Sequence, residues 1–578
     1  MNNYLAMKKS DLKKQHIIQL TFSLIILFLA AFISTRIFIR MDLTSEKRYT
    51  ISEETKTILK KLDDIVYIKV YLEGDLPVGF KKFRNSIRET LDEFRIYGKD
   101  NIQYQFINPS ESRDDKIRKK VFADLYSKGL KPINIQAKDK EGGASEKTVF
   151  PSAVISYKGI DIPLSLLKNN VALSAEENLN NSMQNVEYEL IKSIYNISNK
   201  KVEKIAFLEG HGELSEMEVG DVTRELSNTF QVDRGEIKGN IHVLDQYKAV
   251  IIAKPTKPFS EQDKFVLDQY LMNGGKLLWF VNEVNINTDS LSNGSTFGFI
   301  NNLQIDDQLF TYGVRINSNL VQDIQCNVLP VNSGTNSNQP KWVPAPWLYY
   351  PLISHLVDHP VSRNLEMVWA RYASGIDIVG DNKKIKKTCL LRTSRYSKTV
   401  SAPMYIKLQE IKQTPQQAEF NKPNIPIAML LEGQFPSVFR NRLVKNIMPG
   451  VEVNYKAESI PTKMIVVGDG NMIANDIRLT AKGPMVSALG YDKFTRQTFG
   501  NKDFVSNAIN YLTDETGLMS LRTKEFKLRI LDKPRIREER VKWQVINTVI
   551  PVLLIVIFGL YYNYSRKKKY ASIKTDLK

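Results

Sequence analysis

The chain has two cysteines and five histidines in 578 residues. Two thiols are too few for a disulfide scaffold or a zinc cluster. Cys326 and Cys389 read either as one bridge in an oxidising compartment or as two inert thiols. Neither H-E-x-x-H nor C-x-x-C occurs, so no metal-ligand set is visible. His355 and His359 stand four apart, but "SHLVDHP" runs into a proline and reads as a helix end. No G-x-x-x-x-G-K-[ST] loop is present, which excludes ATP hydrolysis by that route. A G-x-S-x-G nucleophile elbow is absent too. The chain also carries only a modest basic excess between its ends. Its net charge of +18 falls to +10 over residues 36–542, which does not describe a nucleic-acid partner. No metal and no cofactor is expected.

Two charge-free runs stand out instead: Ile17 to Thr35 and Trp543 to Tyr564. At about 1.5 Å per residue, each is long enough to cross a hydrocarbon core of about 30 Å as a helix. Trp543 at one end of the second run and Tyr561, Tyr562 and Tyr564 at the other suit two membrane interfaces. A cleaved signal peptide competes for the first run. The run exceeds a usual h-region, and Arg36 and Arg40 follow where a cleavage site would stand, so an anchor fits better. The two tails carry ten of the 81 Lys and Arg in only 30 residues, and "RKKK" is the densest run. By the positive-inside rule both tails are cytoplasmic, and the middle of the chain lies outside the cytoplasm.

That middle has the pattern of folded α/β domains. "IVYIKVYL" reads as a strand. Phe80, Phe83, Ile87, Leu91 and Phe94 fall on one helical stripe ending at Gly98, and "IQYQFINP" reads as the next strand. Further on, "KIAFL", "KAVIIAKP", "KLLWFVNE" and "KMIVVGDGN" are continuously apolar, with "KPNIPIAMLLEG" as another candidate. Helical patterns separate the first three, one marked by Val219, Val222, Leu226 and Phe230, another capped by Ser260. Strands apolar on both faces that alternate with helices indicate a parallel sheet covered on both sides. The polar stretch between 284 and 350 reads as long loops, with Trp342, Trp347, Tyr349 and Tyr350 in a packed or binding loop. The expected layout is a basic tail (1–16), an anchor (17–39), a small α/β domain (40–200), a larger α/β region (201–530), a second membrane helix (543–564) and a basic tail (565–578).

One motif looks like a site. "FLEGHGE" puts His211 between two glycines and two glutamates at the end of an apolar strand. In open α/β sheets ligands bind beyond the carboxyl ends of the strands. Glu209, His211 and Glu213 fall there after one strand, Asn282 and Glu283 after another, and Asp469 and Asn471 after a third. These form a candidate ligand or recognition edge. A dinucleotide fingerprint fails, because Ser215 stands where the third glycine belongs and the two glutamates would repel a pyrophosphate. A turn with a ligand-contact role outweighs catalysis.

The anchor with "DLTSEKRYTIS" (42–52), "KIAFLEGHGELSEMEV" (204–219), "MIVVGDGNMIANDI" (464–477) and "FGNKDFVSNAINYLTDETGLMSLRTKEFKLRILD" (499–532) together resemble one family. It is the gliding-motility-associated ABC transporter substrate-binding (auxiliary) protein family of Bacteroidota, matched in order over nearly the whole chain. The resemblance implies a non-enzymatic envelope subunit whose permease and P-loop ATPase are other chains. It also implies parallel-sheet domains of flavodoxin or glutamine-amidotransferase type without catalytic residues. The competing readings are a membrane-anchored envelope hydrolase or glycan-processing protein using Glu209, His211 and Asp469, and a solute or glycan receptor using the aromatic stretch 342–350.

Overall fold

Ser52 opens the first helix of the body, α1 (Glu53–Lys60): its hydroxyl accepts the Thr55 amide, which has no partner inside the helix. Strand β1 (Val66–Val70) leads to α2 (Val78–Gly98), whose apolar stripe Phe80, Phe83, Ile87, Leu91 and Phe94 is buried throughout. With β2 (Ile102–Phe106), β3 (Ser152–Tyr157) and β4 (Ile160–Ser165) it builds a four-stranded sheet in the order β2-β1-β3-β4. The β1–β2 pair is parallel, as the helical crossover requires, and the rest is antiparallel. A reciprocal cap between Ser174 and Glu177 starts α3 (Ala175–Ser198), and its Val186, Leu190, Ile191 and Ile194 close this core. Leu518, Met519 and Leu521 pack into the same core from the other end of the body.

This computed structural model describes residues 14, 17–29, 31–32, 50–138, 144–168, 174–199, 202–336, 339–354, 358–450, 454–481, 483–523 and 533–571. The chain divides into two compact units, Met1–Lys524 and Glu525–Lys578.

A seven-stranded sheet dominates the first unit. Its elements are β5 (Lys204–Glu209), α4 (Gly220–Leu226), β6 (Gln231–Glu236), β7 (Ala249–Ala253), α5 (Glu261–Met272), β8 (Lys276–Phe280), β9 (Ile385–Arg392), β10 (Pro426–Gly433), β11 (Thr462–Val467) and α6 (Asn501–Thr513). The strand order is β9-β10-β11-β8-β7-β5-β6. The five strands from β11 to β6 are parallel. Ile205, Phe207 and Ile251 face one layer with Val222 and Leu226 of α4 and Phe504 and Ala508 of α6; Leu208, Val250 and Ile252 face α5 on the other. Burial on both faces is why these strands read as unbroken apolar runs.

Three expectations change. Strand β10 joins the sheet but runs antiparallel to β11, with β9 antiparallel outside it, so the sheet is mixed. Of the stripe Val219–Phe230 only residues 220–226 are helical; Val219 stands at the helix N-cap and Phe230 immediately precedes β6, although all four apolar residues share one core. The polar region after residue 284 is not one long loop: it holds antiparallel strands, among them the long pair Cys326–Asn336 and Gln339–Ile353, and the short helices Thr288–Leu291 and Asp306–Tyr312. There Trp347, Tyr349 and Tyr350 pack with Trp369 and Tyr372 in a buried cluster, and Trp342 alone of the four is exposed.

The second unit contains one helix, α7 (Lys533–Ala571). Its segment Glu538–Lys568 is 31 residues long and contains an 18-residue stretch with a mean hydropathy of 2.2, none of it buried, so by length and composition it suffices to cross a membrane. The first apolar run supplies only a shorter apolar helix, Ile17–Leu29, among the described residues. Most of the basic tails, and residues 33–39 of the expected first anchor, lie outside the described residues, as does His355.

Candidate functional site

The turn after β5 is built by its glycines. Gly210 and Gly212 take φ of +110° and +72°, a region that favours glycine. A β-carbon on Gly212 would come within 2.2 Å of the Thr256 hydroxyl. Glu209, the last residue of β5, holds the Arg234 guanidinium at 2.7 Å. His211 is only 5% exposed, and its ring stacks on Phe259 at 3.7 Å between centroids. Its Nδ1 lies 3.1 Å from Glu213 Oε1 and its Nε2 lies 3.2 Å from Asp263 Oδ2. Glu213 also accepts the His211 amide at 2.7 Å. Burial alone would lower the imidazole pKa, but the hydrogen bonds to Asp263 and Glu213 outweigh it and raise it from 6.5 to about 9. At neutral pH the ring is therefore an imidazolium donating to both carboxylates. Neither nitrogen offers a lone pair, which a general base needs.

Asn282, Asp469 and Asn471 form a second group. Asn282 follows β8, and its Oδ1 accepts the Gly470 amide at 2.6 Å. Asp469, wholly buried after β11, accepts the amides of Arg371 at 2.7 Å and Asn471 at 2.8 Å. The Asn471 amide group donates to the Arg371 carbonyl at 2.9 Å, and the Arg371 guanidinium returns to the Asn471 and Ala474 carbonyls. Desolvation raises the Asp469 pKa to about 6 against these donors. Lys254 lies beside this group with φ of +55°, its stem across Gly470, and burial holds its ammonium below the usual lysine range. Glu283 turns aside: it accepts the Ser318 hydroxyl at 2.9 Å, and burial followed by nearby Asp306 raises its pKa to about 7.

The two groups meet through the loop after β7. Asn301 donates to the carbonyls of Asn282 and Pro255, while the Thr256 and Lys257 amides donate to the His211 carbonyl. The carboxyl edge of the sheet thus gathers the singled-out residues into one network of internal partners. Sequence reasoning missed Asp263, Arg371 and Lys254. Asp263 and Arg371 are 52 and 98 residues from the groups they hold, and no local pattern joins them.

The remaining rare side chains have structural surroundings. His359 sits in a turn rather than at a helix end, edge-on to Tyr511, and burial lowers its pKa to about 4. Cys326 and Cys389 are separate thiols, pushed up by burial to about 12 and about 11. Among the described residues, no group of three His, Cys, Asp or Glu could hold a metal ion.

Residues 203–508, which contain this entire edge, match the family described as an ABC-type uncharacterized transport system, and the chain belongs to that family. It is thus a transporter-associated auxiliary protein, and the family places it with a transport-related membrane location. Residues 45–156 match a domain of unknown function, DUF7088. An uncharacterized protein of Borreliella burgdorferi is 22% identical over 584 residues, covering 96% of this chain and 99% of that protein. The mmIFT52 N-terminal domain is 14% identical, with 54% of this chain and 98% of that one covered at a TM-score of 0.30, a likeness that bears on neither fold nor function here.

Proposed function

We propose that the chain is a non-enzymatic, substrate-binding-like subunit of an ABC transporter involved in gliding motility. It is anchored at both ends in the inner membrane, with both termini cytoplasmic and the α/β body periplasmic. A polytopic permease binds it through the membrane helices, and a P-loop ATPase joins only through the permease. Membrane lipid is the other partner, attracted by the basic tails. The observation that carries this reading is the family match over residues 203–508, in a chain whose later segment Glu538–Lys568 is apolar over a bilayer's thickness. The absence of a P-loop supports a separate ATPase. The hydrolase alternative is disfavoured because Glu209, His211 and Asp469 are each tied to internal partners. The receptor alternative loses its aromatic platform, since Trp347, Tyr349 and Tyr350 are buried in the core.

The test is purification from mild detergent at native expression, with crosslinkers placed in the apolar helices. A polytopic protein should be captured, and deleting it should release the ATPase while this chain stays in the membrane. Reporter fusions should be periplasmic at residue 300 and cytoplasmic after Lys578. A chain that purifies alone, and whose loss leaves surface motility untouched, refutes the proposal.

A further inference from the structure

The helix Asp115–Ser127 belongs to the small domain and covers the face of its sheet opposite α2 and α3. Its Phe122 and Leu125, three apart, pack with Phe150 and with Val154 of β3, while the alternate residues Ala153 and Ile155 face the other core. One stripe of the helix is thereby engaged on the sheet. Lys116, Lys119 and Lys120, spaced three and four apart, share the face turned away from it, and all three are exposed. Ile117 and Val121 border that face on one side and Tyr126 on the other, at 53%, 36% and 64% exposure.

The helix's own carboxylates do not neutralise this face. Asp114 caps the first turn by accepting the Lys116 amide at 2.8 Å, Asp115 pairs with Arg118, and Asp124 pairs with Lys128 at 2.9 Å. Among the described residues, Lys116, Lys119 and Lys120 make no ion pair. Arg113 and Lys131, exposed just outside the two ends, extend the row. Like charges at this spacing destabilise a helix, so the arrangement adds nothing to the fold.

An extended anionic surface with an apolar layer beneath it complements such a face. Lysine ammonium groups reach lipid phosphates while their stems, with Ile117, Val121 and Tyr126, lie against the acyl boundary. The links at both ends of the body also belong to this domain. Ile51 and, from the far end of the sequence, Leu518, Met519 and Leu521 pack in its core. Thr50 stands fifteen residues after Thr35, the end of the first apolar run, and α7 begins at Lys533, ten residues after Thr523. At about 3.5 Å per residue, a ten-residue link spans at most about 35 Å.

We propose that the outer face of this helix docks the body on an anionic bilayer surface, with Lys116, Lys119 and Lys120 on lipid phosphates and Ile117 at the headgroup boundary. The inference rests on the anchored reading above only in that the anchors hold the body beside a bilayer.

The test uses the full chain in vesicles of phosphatidylcholine alone or of an equal mixture with phosphatidylglycerol. A solvatochromic label on Ile117→Cys, in a background of Cys326→Ser and Cys389→Ser, should shift to the blue and be quenched by spin-labelled lipid in the mixture only. High salt should reverse both effects. Each lysine should contribute about fivefold to association, so Lys116→Gln, Lys119→Gln and Lys120→Gln together should abolish the shift. This variant should unfold at the native temperature, because it removes no ion pair. The same label on Ile378→Cys, exposed elsewhere on the body, should not respond. Flotation with phosphatidylcholine vesicles reads the anchors separately. A chain that fails to float refutes the anchored reading, and the label's response to added mixed vesicles then still decides the docking. If the Ile117 label reads alike in both vesicles, or if the triple variant keeps the shift, the proposal is overturned. A label that responds to polyglutamate and not to phosphatidylglycerol assigns the face to an acidic polypeptide and overturns it as well.

Discussion

Replacing His211 by alanine should destabilise the body strongly, because the imidazolium is the only cation placed between two carboxylates in this turn. Glu213 and Asp263 accept from its two nitrogens at 3.1 and 3.2 Å, and the Asp263 pKa is lowered chiefly by that hydrogen bond. The magnitude follows from protonation. The folded imidazole titrates at about 9 against 6.5 without the fold, a difference of about 2.5 units. At about 1.36 kcal/mol per unit this is about 3 kcal/mol of stabilisation. Because the folded value is the higher one, this contribution is fully present below about pH 6.5 and is lost as pH rises through about 9. The variant loses it at every pH and leaves two carboxylates without their cation, so about 3–5 kcal/mol is the expected cost. At about 2.1 cal/mol/K of unfolding entropy per residue, that lowers the unfolding midpoint by roughly 3–5 °C for a body of this size. The assay is thermal unfolding of the full chain in micelles, followed by tryptophan fluorescence from pH 6 to pH 10. The native midpoint should fall across pH 7–10 more steeply than that of His211→Ala, and the two curves should converge at the alkaline end. Equal midpoints at pH 7, or parallel curves, would show that His211 is neutral and that the clamp does not exist.

Glu283→Gln should act in the opposite direction. The folded carboxyl titrates at about 7, above its ordinary value of 4.5, so its ionisation removes stability as pH rises from about 4.5 through 7. The amide should raise the midpoint at pH 8 and leave it nearly unchanged at pH 4, and an unchanged midpoint at pH 8 would contradict the burial penalty. Gly212→Ala should cost more than the roughly 1 kcal/mol of a left-handed alanine, because its β-carbon also meets the Thr256 hydroxyl. Gly212→Ala combined with Thr256→Ala should recover part of the loss, and no recovery would mean that backbone strain alone sets it.

Much of this fold is legible because burial leaves a mark on composition. "KIAFL", "KAVIIA", "KLLWF" and "KMIVV" are apolar at every inward position on two faces, and each is a central parallel strand. "PIAMLLEG" has the same composition yet runs antiparallel, since strand direction is set by the connection and not by the residues. The stretch 326–353 is rich in Pro, Asn and Ser and reads as loop. Its prolines tolerate strand geometry because they sit in a long ribbon, where Pro330 faces Pro344 and Val328 faces Pro346. The site divides in the same way. The glycine turn around His211 is local and visible, while the carboxylate and guanidinium that occupy the edge come from distant segments.

The carboxyl edge of the large sheet presents a ligand with an energetic cost. At the carboxyl edge Glu209, His211, Glu213, Asn282, Asp469 and Asn471 already spend their hydrogen bonds on Arg234, Asp263, Gly470 and Arg371. A ligand contacting those atoms must first break internal bonds, and each buried group left unmatched costs about 1–3 kcal/mol. A closed network of that kind fixes the positions of the loops after β5, β7, β8 and β11 relative to one another, which suits a rigid recognition surface.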